Sequence, residues 1–174
     1  ALYFASKPAP GGRVFSFEML PENLAIFERN LALNPELAGR ITRFPNPLWS
    51  KGGQEVFVSA HGPGTFVGAT APAPGTPSAR TLAIDELVAQ GAIPRIDFIK
   101  MDIEGAELPA LRGAEQALRQ FRPKLAITVY HQLSDHWEIP RYLESLGLGY
   151  RFHLRHFTIH AEETVLFAAC DARA

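Results

Sequence analysis

The sequence predicts an α/β fold: a mainly parallel sheet with helices on both faces, closed by an antiparallel hairpin at its C-terminal end. Three observations predict it. Short apolar runs of strand type alternate with segments whose apolar residues recur at helical spacing, the pattern of a sheet covered by helices. After Gly147 two strand-type runs follow one another with no helix between them, and such a pair is antiparallel. The 174 residues are 47% hydrophobic and 20% charged, which gives one domain enough apolar material for a core and excludes wholesale disorder.

The elements follow in order. Ala1 to Ser6 (ALYFAS) reads as the end of a buried helix, and Lys7 to Gly12 (KPAPGG) breaks it. Val14 to Phe17 (VFSF) is a strand that ends at Glu18. The next helix carries Pro21 in its first turn, where a missing N–H costs little. Leu24, Phe27 and Leu31 form its apolar face, and Asn34-Pro35 ends it. Ile41 to Phe44 and Glu55 to Ser59 are short strands. Gly62 to Pro77 holds four prolines and four glycines in 16 residues and reads as a loop or flap. Thr81 to Gln90 is a strand end followed by a short helix.

The second half has stronger periodicity. Ile96 to Met101 (IDFIKM) is a strand ending at Asp102, and Glu104 to Gln120 is one helix with Leu108, Leu111 and Leu118 on one face. Leu125 to Val129 (LAITV) is a strand ending at Tyr130-His131, and Ile139 to Leu146 is a short helix stopped by Gly147. Tyr150 to Leu154 alternates apolar and polar residues, a strand with one wetter face, and Thr164 to Ala169 (TVLFAA) is the last strand.

Charge and cysteine content exclude several classes. Seventeen Lys and Arg against 18 Asp and Glu leave a net charge of −1, too even for a broad nucleic-acid or acidic-lipid footprint. The single cysteine, Cys170, rules out an internal disulfide, excludes a cysteine-based structural zinc site, and fits a reducing compartment. No run of about 18 apolar residues is present to cross a membrane, and no basic stretch followed by an apolar run marks a signal peptide. The expectation is a cytoplasmic protein with neither a nucleic-acid nor a membrane partner.

Ligands of open α/β sheets bind beyond the carboxyl ends of the strands, which selects Glu18, Asn46 to Trp49, Asp102 with Glu104, and Tyr130-His131. A carboxylate at Glu18 can accept two bonds from the vicinal hydroxyls of a ribose; it also suits the positive end of the following helix. Asp102 could hold an ammonium group, orient a substrate hydroxyl or bind a metal, while Asp102 and Glu104 also suit a helix start, with Glu104 and Glu107 at the spacing of a capping box. His131 has the side chain best suited to a general base near neutrality, or it is simply exposed in a loop. Trp49 could stack on an adenine or fill part of the core. His153 and His156, three apart on a strand, point to opposite faces and cannot share a metal. His131 and His136 lack a third ligand, so no metal site is expected.

Together these residues resemble the FkbM-type methyltransferase family, which uses S-adenosylmethionine. The resemblance rests on VFSFEMLPENLAIFERNLALN (14–34), IDFIKMDIEGAELPALRGAEQA (96–117) and PKLAITVYH (123–131), with KMDIEGAE the most specific stretch; the tail EIPRYLESLGLGYRFHLRH with ETVLFA is similar to the family's last hairpin. It covers nearly the whole chain. It implies a Rossmann-like class I methyltransferase sheet over a single domain, 1–174. The family's first strand and its glycine-rich loop should lie just before a segment like ALYFAS, so the resemblance implies that the first strand is missing. That strand lies centrally, and its absence would leave two strands without a neighbour or let them pair directly.

The resemblance also assigns residues. Glu18, with Met19 beside it, matches the family's ribose-binding acid. Asn46, Pro47, Leu48 and Trp49 follow the third strand, where such folds hold the adenine. Asp102 and Glu104 match the acidic pair beside the cofactor's amino acid and the methyl acceptor. His131 or Asp102 is the expected base. The implied reaction is O-methylation of a small hydroxylated metabolite or a sugar, with acceptor choice expected in the Pro/Gly loop and in Gln132 to Trp137. Two other classes compete: a nicotinamide-dependent dehydrogenase, disfavoured by the terminal hairpin and KMDIEGAE, and a non-catalytic Rossmann-like module.

Overall fold

The computed structural model describes residues 1–7, 11–59, 66–70, 76–160 and 162–170. They divide into two compact units, Ala1–Pro47 and Leu48–Ala174.

The first unit contains α1 (Leu2–Ala5), β1 (Val14–Phe17), α2 (Pro21–Ala32), the one-turn α3 (Pro35–Ala38) and β2 (Ile41–Phe44). β1 and β2 pair in parallel from Val14↔Ile41 to Phe17↔Phe44. Ala5, Leu31 and Ile41 form the core, with Leu2, Val14, Phe27 and Leu37 packed around it. Pro21 occupies the first turn of α2 as its fixed φ favours.

The second unit holds two sheets. Antiparallel β3 (Glu55–Ser59) lies between β4 (Phe66–Gly68) and β5 (Ser78–Arg80). The other sheet has the order β6-β7-β9-β8, built from β6 (Phe98–Met101), β7 (Lys124–Thr128), β8 (Arg151–His156) and β9 (Thr164–Ala169). β6 and β7 are parallel, while β7–β9 and β8–β9 are antiparallel. Between them run α4 (Ile84–Ala89), α5 (Glu107–Arg112), α6 (Glu115–Phe121) and α7 (Asp135–Ser145). Leu111, Leu118, Leu125, Ile127, Ile139 and Leu143 are all at most 1% exposed. Leu125 to Val129 is buried throughout, as an apolar run covered on both faces should be.

The terminal hairpin forms as predicted. Several expectations need correction. In place of one mainly parallel sheet, the described residues form sheets of two, three and four strands, and only β1–β2 and β6–β7 are parallel. The predicted helix 104–120 is two helices. The first ends at Gly113, where a Cβ would collide with the Trp49 carbonyl, and the Asp85 carboxylate holds the start of the second by accepting the N–H groups of Gln116 (2.9 Å) and Ala117 (2.8 Å). α7 begins four residues before Ile139, because Trp137 and Glu138 already donate to the Ser134 carbonyl. β8 is exposed along its whole length, not on one face. Of the predicted loop 62–77, residues 62–65 and 71–75 lie outside the described residues, and Phe66–Gly68 is a strand.

Candidate active site

Parallel pairing sets the site. The register Met101↔Ile127 places the carboxyl ends of β6 and β7 side by side, so the segment after Met101 meets the segment after Thr128. Four titratable side chains converge there: Asp102, Glu104, Glu107 and His131.

Glu107 is the hub. Its side chain is completely buried, a position a carboxylate holds only when its oxygens are satisfied. Oε1 accepts from the N–H of Ile103 at 2.8 Å and from the Thr128 hydroxyl at 3.1 Å, and it lies 2.9 Å from His131 Nδ1. Oε2 accepts from the N–H of Gly105 at 3.0 Å. An ionised carboxylate only accepts, so Nδ1 carries the proton and Nε2 of the neutral ring is the lone-pair nitrogen. Nε2 is buried and has no hydrogen-bond partner among the described residues. It faces Asp102 Oδ1 at 3.6 Å and Glu104 Oε2 at 3.5 Å.

The local backbone explains the convergence. Glu104 and Gly105 both have positive φ, 59° and 90°, and this left-handed pair turns the chain back so that Glu107 reaches the N–H groups of Ile103 and Gly105. A Cβ at Gly105 would sit 3.0 Å from Gln132 Nε2. Gln132 donates from that same nitrogen to the Gly105 carbonyl at 2.9 Å. Gly105→Ala is therefore expected to cost about 1–2 kcal/mol, read as a lower urea midpoint with an unchanged denaturant slope.

The electrostatics are mutual. Burial works against the charged form of His131, but the Glu107 bond and the charges of Glu107, Glu104 and Asp102 outweigh it and raise the ring above its ordinary value. Burial likewise works against Glu107, yet the His131 and Ile103 bonds hold it below the usual carboxylate range. Glu104 is raised, first by burial and then by the charges of Asp102 and Glu107, against the pull of His131. Asp102 accepts from Lys100 Nζ at 2.7 Å and from the Tyr130 hydroxyl at 3.3 Å. Burial and then Asp102 push the Tyr130 hydroxyl up. Among the described residues no group of three or more His, Cys, Asp or Glu side chains is arranged to hold a metal ion.

Beside this cluster lies a cleft of about 290 Å³ whose lining includes Trp49, Leu108, Gln132, Asp135 and Glu138. Asp135 is 3% exposed. Burial first, then the charge of Glu107, push its carboxyl up to about 6.

The structure thus brings together three of the residues singled out in the sequence, Asp102, Glu104 and His131. Trp49 lines the cleft beside them. In the first unit Glu18 ends β1, its Oε1 accepting from the N–H groups of Met19 (2.8 Å) and Leu20 (2.9 Å) and its Oε2 from Asn23 Nδ2 (3.0 Å). These bonds tie it to the start of α2. Asn46 is half-buried and Pro47 buried. Leu48 is a core side chain, 7% exposed, bridged in parallel to Leu82. Trp49 follows, its N–H donating to the Leu82 carbonyl at 2.9 Å. Glu107 as the partner of His131 was missed, although the sequence held a signal: it stands at helical spacing from Leu111, Ala114 and Leu118, the one charged residue in an otherwise apolar periodic set. A carboxylate in such a set needs a buried partner.

Comparison with known proteins adds the family. The Methyltransferase FkbM domain matches residues 1–152. Hexuronic acid methyltransferase AglP of Haloferax volcanii is 29% identical over 117 residues, covering 61% of this chain and 43% of that protein. The crystal structure of Methyltransferase FkbM from Methylobacillus flagellatus KT superimposes with a TM-score of 0.68 at 29% identity, over 90% of this chain and 36% of that chain. The chain spans less than half the length of these relatives. With a mixed α/β fold of this likeness and a domain match running from residue 1 to residue 152, the chain belongs to the FkbM methyltransferase family.

Proposed function

We propose that the protein transfers a methyl group from S-adenosylmethionine to a hydroxyl of a sugar-like molecule, with His131 accepting the hydroxyl proton. The observation that carries this reading is the buried Glu107–His131 pair, which leaves Nε2 unpartnered at the carboxyl ends of two parallel strands. The hexuronic acid methyltransferase relative supports a sugar-like acceptor.

The residues fit the cofactor chemically. Three donors fix the Glu18 carboxylate, and a carboxylate has about four acceptor positions, so it retains capacity for a ribose hydroxyl; Met19 lies beside it. Asn46, Pro47, Leu48 and Trp49 would border the adenine, with Trp49 offering aromatic surface. Asp102 and Glu104 supply negative charge that would offset a sulfonium and align the amino group. Bound, the cofactor supplies an activated methyl group, the hard part of the chemistry. The chain's own work is to hold the acceptor oxygen in line and to take its proton. His131 Nε2 takes that proton as the new carbon–oxygen bond forms, and the imidazolium is then stabilised by Glu107 at Nδ1 and by Asp102 and Glu104 nearby. Atoms balance: the acceptor gains a methyl group and loses a proton, and S-adenosylhomocysteine leaves.

Calorimetric titration with S-adenosylhomocysteine tests the cofactor half. Glu18→Ala is expected to weaken binding at least tenfold. A folded protein that ignores S-adenosylhomocysteine would return the lead to the non-catalytic module, and equal binding by Glu18→Ala would remove Glu18 from the site.

A further inference from the structure

We infer that the cleft beside His131 takes a sugar ring that carries no negative charge. The inference rests on the reading of the protein as a sugar methyltransferase and names the substrate class of that site. Trp49 and Leu108 give the cleft apolar surface, Asp135 and Glu138 give it carboxylates, and its volume of about 290 Å³ is at the small end of ligand pockets, the scale of a single ring. An indole beside carboxylates matches a pyranose, whose C–H face is apolar and whose rim is hydroxyl. Gln132 is held at the boundary between cleft and cluster by its bond to the Gly105 carbonyl.

Charge decides between sugars. The lining holds two carboxylates and, among the described residues, no Lys, Arg or His. The next groups inward are three more carboxylates, Asp102, Glu104 and Glu107, set against His131 and Lys100. The cleft and the cluster act on one another, since the charges of Glu107, His131 and Glu138 all bear on Asp135. A sugar carboxylate placed here would lose water and meet like charge, with no cation among the described lining residues and with Lys100 and His131 already set against the cluster's own carboxylates. Neutral hydroxyls instead find acceptors already in place. This chain therefore departs from the relative named for a hexuronic acid.

The test is binding, read apart from catalysis. Methyl β-glucopyranoside and methyl β-glucuronide differ only in oxidation at C6. Each is titrated into the full chain while the indole N–H signal of Trp49, identified by its loss in Trp49→Phe, is followed by NMR. The expected result is saturable movement with the neutral glycoside and at least tenfold weaker binding of the glucuronide. Asp135→Asn with Glu138→Gln should narrow the gap; Glu138→Gln alone, at an exposed position, should narrow it partly without risk to the fold. Equal or tighter binding of the glucuronide, or a Trp49 signal that neither glycoside moves, overturns the inference. S-adenosylhomocysteine binding in the same sample separates the two readings: if it persists while no glycoside binds, methyl transfer stands and the cleft assignment falls.

Discussion

Glu107→Gln is expected to lower the rate of methyl transfer about 10²–10³-fold, the range lost with a positioned proton acceptor, while S-adenosylhomocysteine binding stays intact. The reason is charge. Glu107 can only accept at Nδ1, so it leaves Nε2 as the basic nitrogen and its negative charge stabilises the imidazolium. A glutamine keeps its carbonyl oxygen on Ile103, Thr128 and His131 and turns its amide toward the Gly105 N–H, so the tautomer is kept but the charge that makes Nε2 basic is lost. Glu107→Ala should do more harm to the fold than to the chemistry alone. It strands the N–H groups of Ile103 and Gly105 and the His131 ring in a dry site, while the Thr128 hydroxyl keeps the Met101 carbonyl as acceptor, with a stability cost of about 3–5 kcal/mol. Turnover of a labelled methyl group, calorimetry, and the nitrogen chemical shifts of the His131 ring separate these outcomes. A Glu107→Gln protein with wild-type turnover would sink the positioning role.

The pH profile gives the second large effect. His131 accepts a proton only when neutral, so kcat should rise with pH along an acid limb whose midpoint lies above about 6.5, the ordinary histidine value, because the ring is raised. Asp102 and Glu104 stabilise the imidazolium across 3.5–3.6 Å. Removing either charge, by Asp102→Asn or Glu104→Gln, must lower that midpoint, and His131→Ala must abolish the limb. An acid limb that stays in place in both variants would assign it to another group. Stability follows the same pair. The raised His131 contributes stability that is fully present below its unfolded value near 6.5 and lost as pH rises through its folded value; the lowered Glu107 contributes stability present above its unfolded value near 4.3 and lost as pH falls through its folded value. Between about pH 4.3 and 6.5 both contributions are complete.

What the sequence made legible was local. Val14–Phe17, Ile41–Phe44, Glu55–Ser59 and Thr164–Ala169 end where predicted, because β-branched and aromatic residues concentrate in each and polar or turn residues such as Glu18, Pro45 and Glu163 flank them. The break at Gly113 was not legible, since the Asp85 carboxylate that holds the start of the next helix and the Trp49 carbonyl that leaves no room for a side chain at 113 both lie far off in sequence. Sheet membership was not legible either: the short strands carry no register signal of their own, and pairing is decided by contacts distant in sequence. The convergence of Asp102, Glu104 and His131 was legible because all three follow the carboxyl ends of neighbouring strands, the positions where α/β sheets place ligands. Glu107 was visible as a residue but was read as a helix cap. The wall made by Trp49, Gln132 and Asp135 needed the folded chain.

The short reach of Glu107 has an evolutionary consequence. Its backbone partners lie two and four residues upstream, and its side-chain partners, Thr128 and His131, sit on or just after the strand paired with β6. The whole Glu107–His131 network is thus contained in a single strand–helix–helix–strand stretch from Phe98 to His131. Such a stretch can be inherited as a cassette: the surrounding scaffold can drift, gain insertions or change its acceptor walls while the device keeps its own template. A chimera that moves residues 98–131 as one block should carry the histidine's tautomer and elevated basicity with it, whereas moving His131 alone should not.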